Sequence, residues 1–158
     1  MKTRNGFTLI EMLVTLSLLA IILSIALPVN ELIKRREKET ELRRNLLLIR
    51  TAIDAYYQAS NEGRIEKSTS QSGYPPDLQT LVQGVVDKTT PNGKKIYFLR
   101  HLPADPMCEN CEEMTPENTW DTRSYQSSHD DFEAGEDVYD LRSKSTKVGI
   151  NGVPYRDW

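Results

Sequence analysis

The hydrophobic pattern divides the chain at once. From Phe7 to Val29 the residues are apolar except for Thr8, Glu11, Thr15, Ser17 and Ser24. As a helix this run is roughly 35 Å long, enough to span a bilayer. The stretch Glu31 to Gln58 then contains neither Gly nor Pro, and Leu42, Leu46, Ile49, Ile53 and Tyr56 recur along it at helical spacing as one apolar stripe. Arg35 and Glu39 occupy the upstream positions of that stripe. Being charged, they predict that the helix from about Lys34 to Glu41 stands in solvent or against other subunits, and that it is packed under a globular part only from Leu42 onward.

Beyond the helix the signals are shorter. Gly63 and the polar run to Gly73 read as a loop, and Pro75 to Gly84 as a short helix burying Leu78, Leu81 and Val82. Asn92-Gly93 marks a turn, and strands are expected at Ile96–Leu99, Arg123–Ser127, Asp137–Arg142 and Lys147–Ile150. The expected class is α+β: a long N-terminal helix, half of it transmembrane, against a small antiparallel sheet with a loop-rich C-terminal region.

Of 158 residues, about 100–130 remain outside the apolar segment, enough for one small domain. The formal charge of −3 gives no support to nucleic-acid binding. Its distribution says more. Lys34 to Arg50 holds seven bases and three acids, whereas His101 to Asp140 holds twelve acids and the single base Arg123. Such segregation suits subunits that stack, and equally suits solvated faces. Lys2 and Arg4 before the apolar run favour a cytoplasmic N-terminus, while the bases from Lys34 to Lys38 argue the other way. No nucleophile–base constellation, phosphate loop or paired carboxylates stand out, so no catalytic residues are assigned.

Glu11 is the anomaly, a carboxylate one turn inside an apolar run, where burial in lipid costs about 2.5–3.5 kcal/mol. It is either solvated near the interface or has a partner. Gly6 followed by Phe7-Thr8-Leu9-Ile10-Glu11 resembles the signal of type IV pilins and type II secretion pseudopilins. The resemblance implies a leader of residues 1–6, cleavage between Gly6 and Phe7 by a prepilin peptidase, and N-methylation of Phe7. It gives Glu11 a partner, the N-terminal amine of the neighbouring subunit, and it marks Pro28, where the missing N–H predicts a kink or local melting. Removing Lys2 and Arg4 with the leader takes the charge to −3 − 2 = −5. An ordinary secretory signal cut after Ser24 and Ala26 also fits the spacing, but the carboxylate in the apolar run argues against it.

Further on, Leu102, Pro103, Asp105, Pro106, Trp120, Tyr125, Val138, Tyr139, Asp140 and the closing Asp157-Trp158 are similar to the pattern of the major, G-type pseudopilins. This implies residues 7–29 as the transmembrane and assembly helix, 30–60 as its continuation and 61–158 as a periplasmic pseudopilin domain. The partners implied are other copies in a helical filament, the prepilin peptidase, minor pseudopilins and an inner-membrane assembly platform. A type IV pilin of a surface pilus is the alternative within this class.

Two departures stand out. Major pseudopilins commonly hold calcium in the last loop, but here Lys144, Lys147 and Arg156 face only Asp157 and Asn151 as side-chain ligands, a poor offer to a cation that takes six to eight oxygens. No metal or cofactor is assigned, and how that loop is fixed stays open. The other departure is Cys108-Glu109-Asn110-Cys111, which reads as a disulfide, a redox pair or half a zinc site completed by His101 and His129. The periplasmic placement implied by the resemblance favours the disulfide. A membrane-anchored redox or metal-binding protein is the alternative from another class.

Overall fold

The computed structural model describes residues 6–158 other than Ser70, Glu112 and His129, and the backbone alone at residues 25–28. The first five leader residues, the Pro28 side chain and His129 therefore lie outside the described residues. The chain forms two compact units, Met1–Glu37 and Lys38–Trp158, and helix α1, Leu9–Asn61, contributes to both.

Both ends of α1 are written in local chemistry. Thr8 precedes the first turn and its Oγ1 accepts the Glu11 N–H at 3.3 Å, the N-cap bond of a Thr-x-x-Glu sequence. At the other end Gly63 N–H donates to Ser60 O and Arg64 N–H to Ala59 O, the paired bonds of a Schellman stop. That stop needs the left-handed φ of +73° that Gly63 supplies. The backbone is helical at residue 28 as on either side of it.

In the N-terminal unit every described side chain from Gly6 onward is exposed, and the helix is long and apolar enough to cross a membrane. Thr15 and Ser17 donate their hydroxyls to the carbonyls of Met12 and Val14 at 2.9 and 2.8 Å. Neither brings an unmet polar group into that surface.

In the C-terminal unit the apolar stripe is the core. Leu42, Leu46, Ile49, Ile53 and Tyr56 are all buried, together with Leu78, Leu81, Leu99, Leu102, Trp120, Val138, Leu141 and Tyr155. Burial of each large aliphatic side chain is worth about 1.5–3 kcal/mol. The expectation for Glu39 was wrong. It is only 8 % exposed, because residues from the far end of the chain cover it.

The sheets are smaller than expected: β1 (Val85–Val86) pairs with β2 (Lys95–Ile96), and β3 (Trp120–Arg123) with β4 (Asp140–Ser143), both antiparallel. The short helix contracts to α2, Thr80–Gln83. Asp77 Oδ1 accepts the Thr80 N–H at 2.7 Å and so sets its start, and Val82 is half-buried. The strand expected at Ile96–Leu99 ends at Ile96 because Phe98 and Leu99 both give their N–H to Leu81 O. Gly84 permits that approach, since a Cβ there would lie 2.7 Å from Ile96 O.

The strand expected at Arg123–Ser127 lies three residues earlier. Asp137 explains the shift, for its Oδ1 takes the Ser124 hydroxyl at 2.7 Å and the Tyr125 N–H at 2.8 Å. The strand expected at Asp137–Arg142 accordingly starts only at Asp140. Burial raises the Asp137 pKa, but these bonds and one from the Ser72 hydroxyl outweigh it and hold the carboxyl below its usual range. Lys147–Ile150 makes a single bridge, Val148 to Pro154, instead of a strand.

Beside the β1–β2 hairpin, Asp87 accepts Thr89 Oγ1 at 2.6 Å and Arg64 Nη2 at 2.8 Å. The Thr89 and Arg64 bonds bring its pKa down to about 2. The folded value lies below the unfolded one of about 3.9, so this contribution is present above about pH 4 and is lost as pH falls toward 2. Asp87→Asn is therefore expected to be less stable than the parent at pH 6, with the gap closing by pH 2. Urea midpoints measured across that range check it.

Candidate functional site

Gly6 and Phe7 precede the first turn of α1. Phe7 is 80 % exposed, and a Cβ at Gly6 would meet nothing within 4 Å among the described residues. Glu11 lies in the first turn of α1, where a carboxylate is favoured by the helix dipole, by about 0.3–1 kcal/mol. Its amide is capped by Thr8, whereas its carboxylate has no hydrogen-bond or ionic partner among the described residues. The exposed end of the apolar helix thus presents one unpaired negative charge.

The second constellation lies in the C-terminal unit. Glu39, Arg43, Arg50 and Tyr57 are spaced by four, seven and seven residues, which aligns them on one flank of α1 beside the buried stripe. Glu39 Oε1 accepts the Ile150 N–H and the Tyr155 hydroxyl, both at 2.8 Å. The Arg43 guanidinium lies 4.3 Å from the Trp158 ring centroid. Arg50 donates from Nε to Asp140 Oδ1 at 2.8 Å, from Nη2 to Leu141 O at 3.1 Å, and from both Nη1 and Nη2 to Trp158 O at 3.2 Å. Trp158 in turn packs edge-on to Tyr155 and donates Nε1–H to Val153 O at 3.2 Å.

Helix side chains therefore hold the last loop. Of its two candidate side-chain oxygen ligands, Asn151 Oδ1 accepts the Val153 N–H at 3.1 Å, and Asp157 Oδ1 lies 3.6 Å from Arg156 Nε. These residues do not fit a calcium ion, and no cluster of three or more His, Cys, Asp or Glu among the described residues could hold a metal.

Cys108 and Cys111 are joined by a disulfide with Cα atoms 5.8 Å apart, across a turn in which Asn110 takes a left-handed φ of 58°. Glu109 in that turn pairs with Lys147, tying it to the last loop. Both sulfurs are consumed by the bond, so neither is a thiolate ligand in this state.

The residues marked by the C-terminal resemblance have structural work. Trp120 Nε1 donates to Pro103 O at 2.9 Å, and buried Asp105 accepts the Ser143 hydroxyl at 2.6 Å and the Met107 N–H at 2.8 Å. Burial pushes the Asp105 carboxyl up in spite of those bonds. Tyr57, Tyr74, Tyr125 and Tyr139 form one aromatic cluster with centroids 4.4–5.7 Å apart. There burial, with the neighbouring rings adding to it, raises the Tyr74 hydroxyl pKa to about 12. The sequence reading missed Glu39, Arg43 and Arg50 as holders of the C-terminus. Their common spacing on the flank of the stripe was the available signal.

No curated protein and no solved structure matches the chain. The family model of the prokaryotic N-terminal methylation motif matches residues 1–27. The chain thus carries, in a segment that includes the exposed apolar part of α1, the signature of type IV pilins and pseudopilins.

Proposed function

We propose that the protein is a filament subunit without enzymatic activity, a pseudopilin of a type II secretion system assembled from the inner membrane into a periplasmic fibre. The observation that carries this reading is the methylation motif at residues 1–27 fused to an uninterrupted helix, Leu9–Asn61. A prepilin peptidase cuts between Gly6 and Phe7 and methylates Phe7, and the apolar part of α1 then bundles with its copies. Glu11, whose carboxylate has no partner within the described residues, takes the Phe7 ammonium of the neighbour. The leader is residues 1–6, the membrane segment 7–29, the helix continuation 30–60 and the periplasmic domain 61–158. The choice of the secretion branch over a surface pilin rests on the resemblance of Pro103, Asp105 and Trp120 to the pattern of major pseudopilins; their contacts within the fold serve either branch alike. The Cys108–Cys111 bond serves as a staple of an exposed turn in an oxidising compartment.

Gly6→Val tests the processing step. Among the described residues nothing lies within 4 Å of a Cβ at this position, so the fold is expected to be untouched while the peptidase, which requires a small residue before its cut, fails. Mass spectrometry of the membrane-extracted variant should show residues 1–6 retained and Phe7 unmethylated. Normal removal of the leader would contradict the assigned cleavage site.

A further inference from the structure

Within the C-terminal unit the outward face of α1 is not uniformly polar. Leu47 is 69 % exposed and Leu48 45 %. Leu47 is the shared wall of two grooves of about 360 Å³ each, one formed with Ala52, Ala55 and Phe98, the other with Val153 and Trp158. Arg44, at the rim of the first groove, has no ionic or hydrogen-bond partner among the described residues.

A second face of the same unit offers the complement. Tyr125 is 58 % exposed and Tyr139 38 %, their ring centroids 5.7 Å apart. Ser124, next to Tyr125, donates its N–H to Glu133 O at 2.9 Å, which sets the acidic segment beside the rings. The carboxylates of Asp131, Glu133 and Glu136 have no ionic partner among the described residues.

We propose that these two faces meet between copies: Tyr125 and Tyr139 of one chain seat on the Leu47 grooves of the next, and its acids meet Arg44. This rests on the filament reading and names the contact by which the C-terminal units of successive copies recognise each other. Three arguments carry it. The charges left over within the unit are complementary, Arg44 on one face and Asp131, Glu133 and Glu136 on the other, none of them with an ionic partner among the described residues. Pairing the Leu47 face with itself would instead oppose Arg44 to Arg44, which like-charge juxtaposition disfavours. Exposed tyrosine and arginine around an apolar centre are also the residues that dominate protein interfaces. Finally, two different patches on one unit make a heterologous contact, which propagates into an open fibre instead of closing as a dimer.

The test uses the full chain overexpressed with its assembly machinery, so that the fibre grows out of the periplasm and can be sheared off. A photoreactive benzoylphenylalanine replaces Leu47, and sheared fibres from mixed isotopically light and heavy cells are irradiated and digested. Cross-links between light and heavy chains into residues 125–139 are expected. Arg44→Glu should lower fibre yield at least about tenfold, and adding Glu133→Arg should restore it. Fibres that form normally but cross-link Leu47 to its own face, to another protein or not at all would overturn this interface alone, as would failure of the double variant to recover. If the parent chain forms no fibres, the filament reading falls and the interface with it.

Discussion

Glu11→Val is expected to enter the membrane and lose its leader like the parent, and then to assemble poorly. Two terms set this outcome. Removing the carboxylate eases insertion by about 2.5–3.5 kcal/mol, so the single subunit is at least as content in the bilayer. In the fibre, the Phe7 ammonium of the neighbour then enters an apolar bundle without a counter-charge, and stranding one member of a buried pair costs about 3–5 kcal/mol. The second term recurs at every subunit and suffices to stop polymerisation. The structure adds a control. The Glu11 amide is capped by the Thr8 hydroxyl, a bond independent of the side chain at residue 11, so the helix start survives the substitution and a loss of assembly is not a loss of fold. Fibre yield after shearing, compared with the membrane-bound pool, gives the answer. Parental yield from the valine variant would leave Glu11 as a carboxylate of the first helical turn and no more.

Glu39→Ala is expected to free the C-terminal loop. One oxygen of this nearly buried side chain serves two donors, Ile150 N–H and Tyr155 hydroxyl. Truncation removes this acceptor from both, at a cost of about 2–4 kcal/mol. For a unit of this size that lowers the melting point by about 10 °C. Faster amide exchange should be confined to the segment around residues 147–158, with the β1–β2 hairpin unchanged. Glu39→Gln, which retains an acceptor oxygen, should lose less than half as much. Because Glu39, Arg43 and Arg50 hold the loop, calcium or a chelator should leave the parent's melting point where it is. A calcium-dependent rise would contradict that account of the loop.

These two residues also show where a sequence is readable. Glu11 stands out because its surroundings are local: an apolar run, a preceding glycine and a helix start within six positions. The stripe from Leu42 to Tyr56 is equally local, since period alone places it on one face, and all five of its residues are buried. Glu39 lies on the same period, but its charge predicts a place in solvent or against other subunits. Its partners are more than a hundred residues away in sequence, and no local pattern announces them. The strands slipped for a related reason. Propensity placed β3 over Ser124 and Tyr125, but Asp137 draws both the Ser124 hydroxyl and the Tyr125 amide to its carboxylate, and a side chain that competes for the ladder is invisible to a propensity count.

The central claim is that this chain is a processed subunit of a filament. The most direct measurement is the N-terminal peptide mass of the protein recovered in the sheared-fibre fraction when the chain is overexpressed with its assembly machinery. The account predicts a chain that begins at Phe7 and carries one added methyl group. A fibre fraction lacking the protein, together with a soluble form that begins at Leu27, would contradict it.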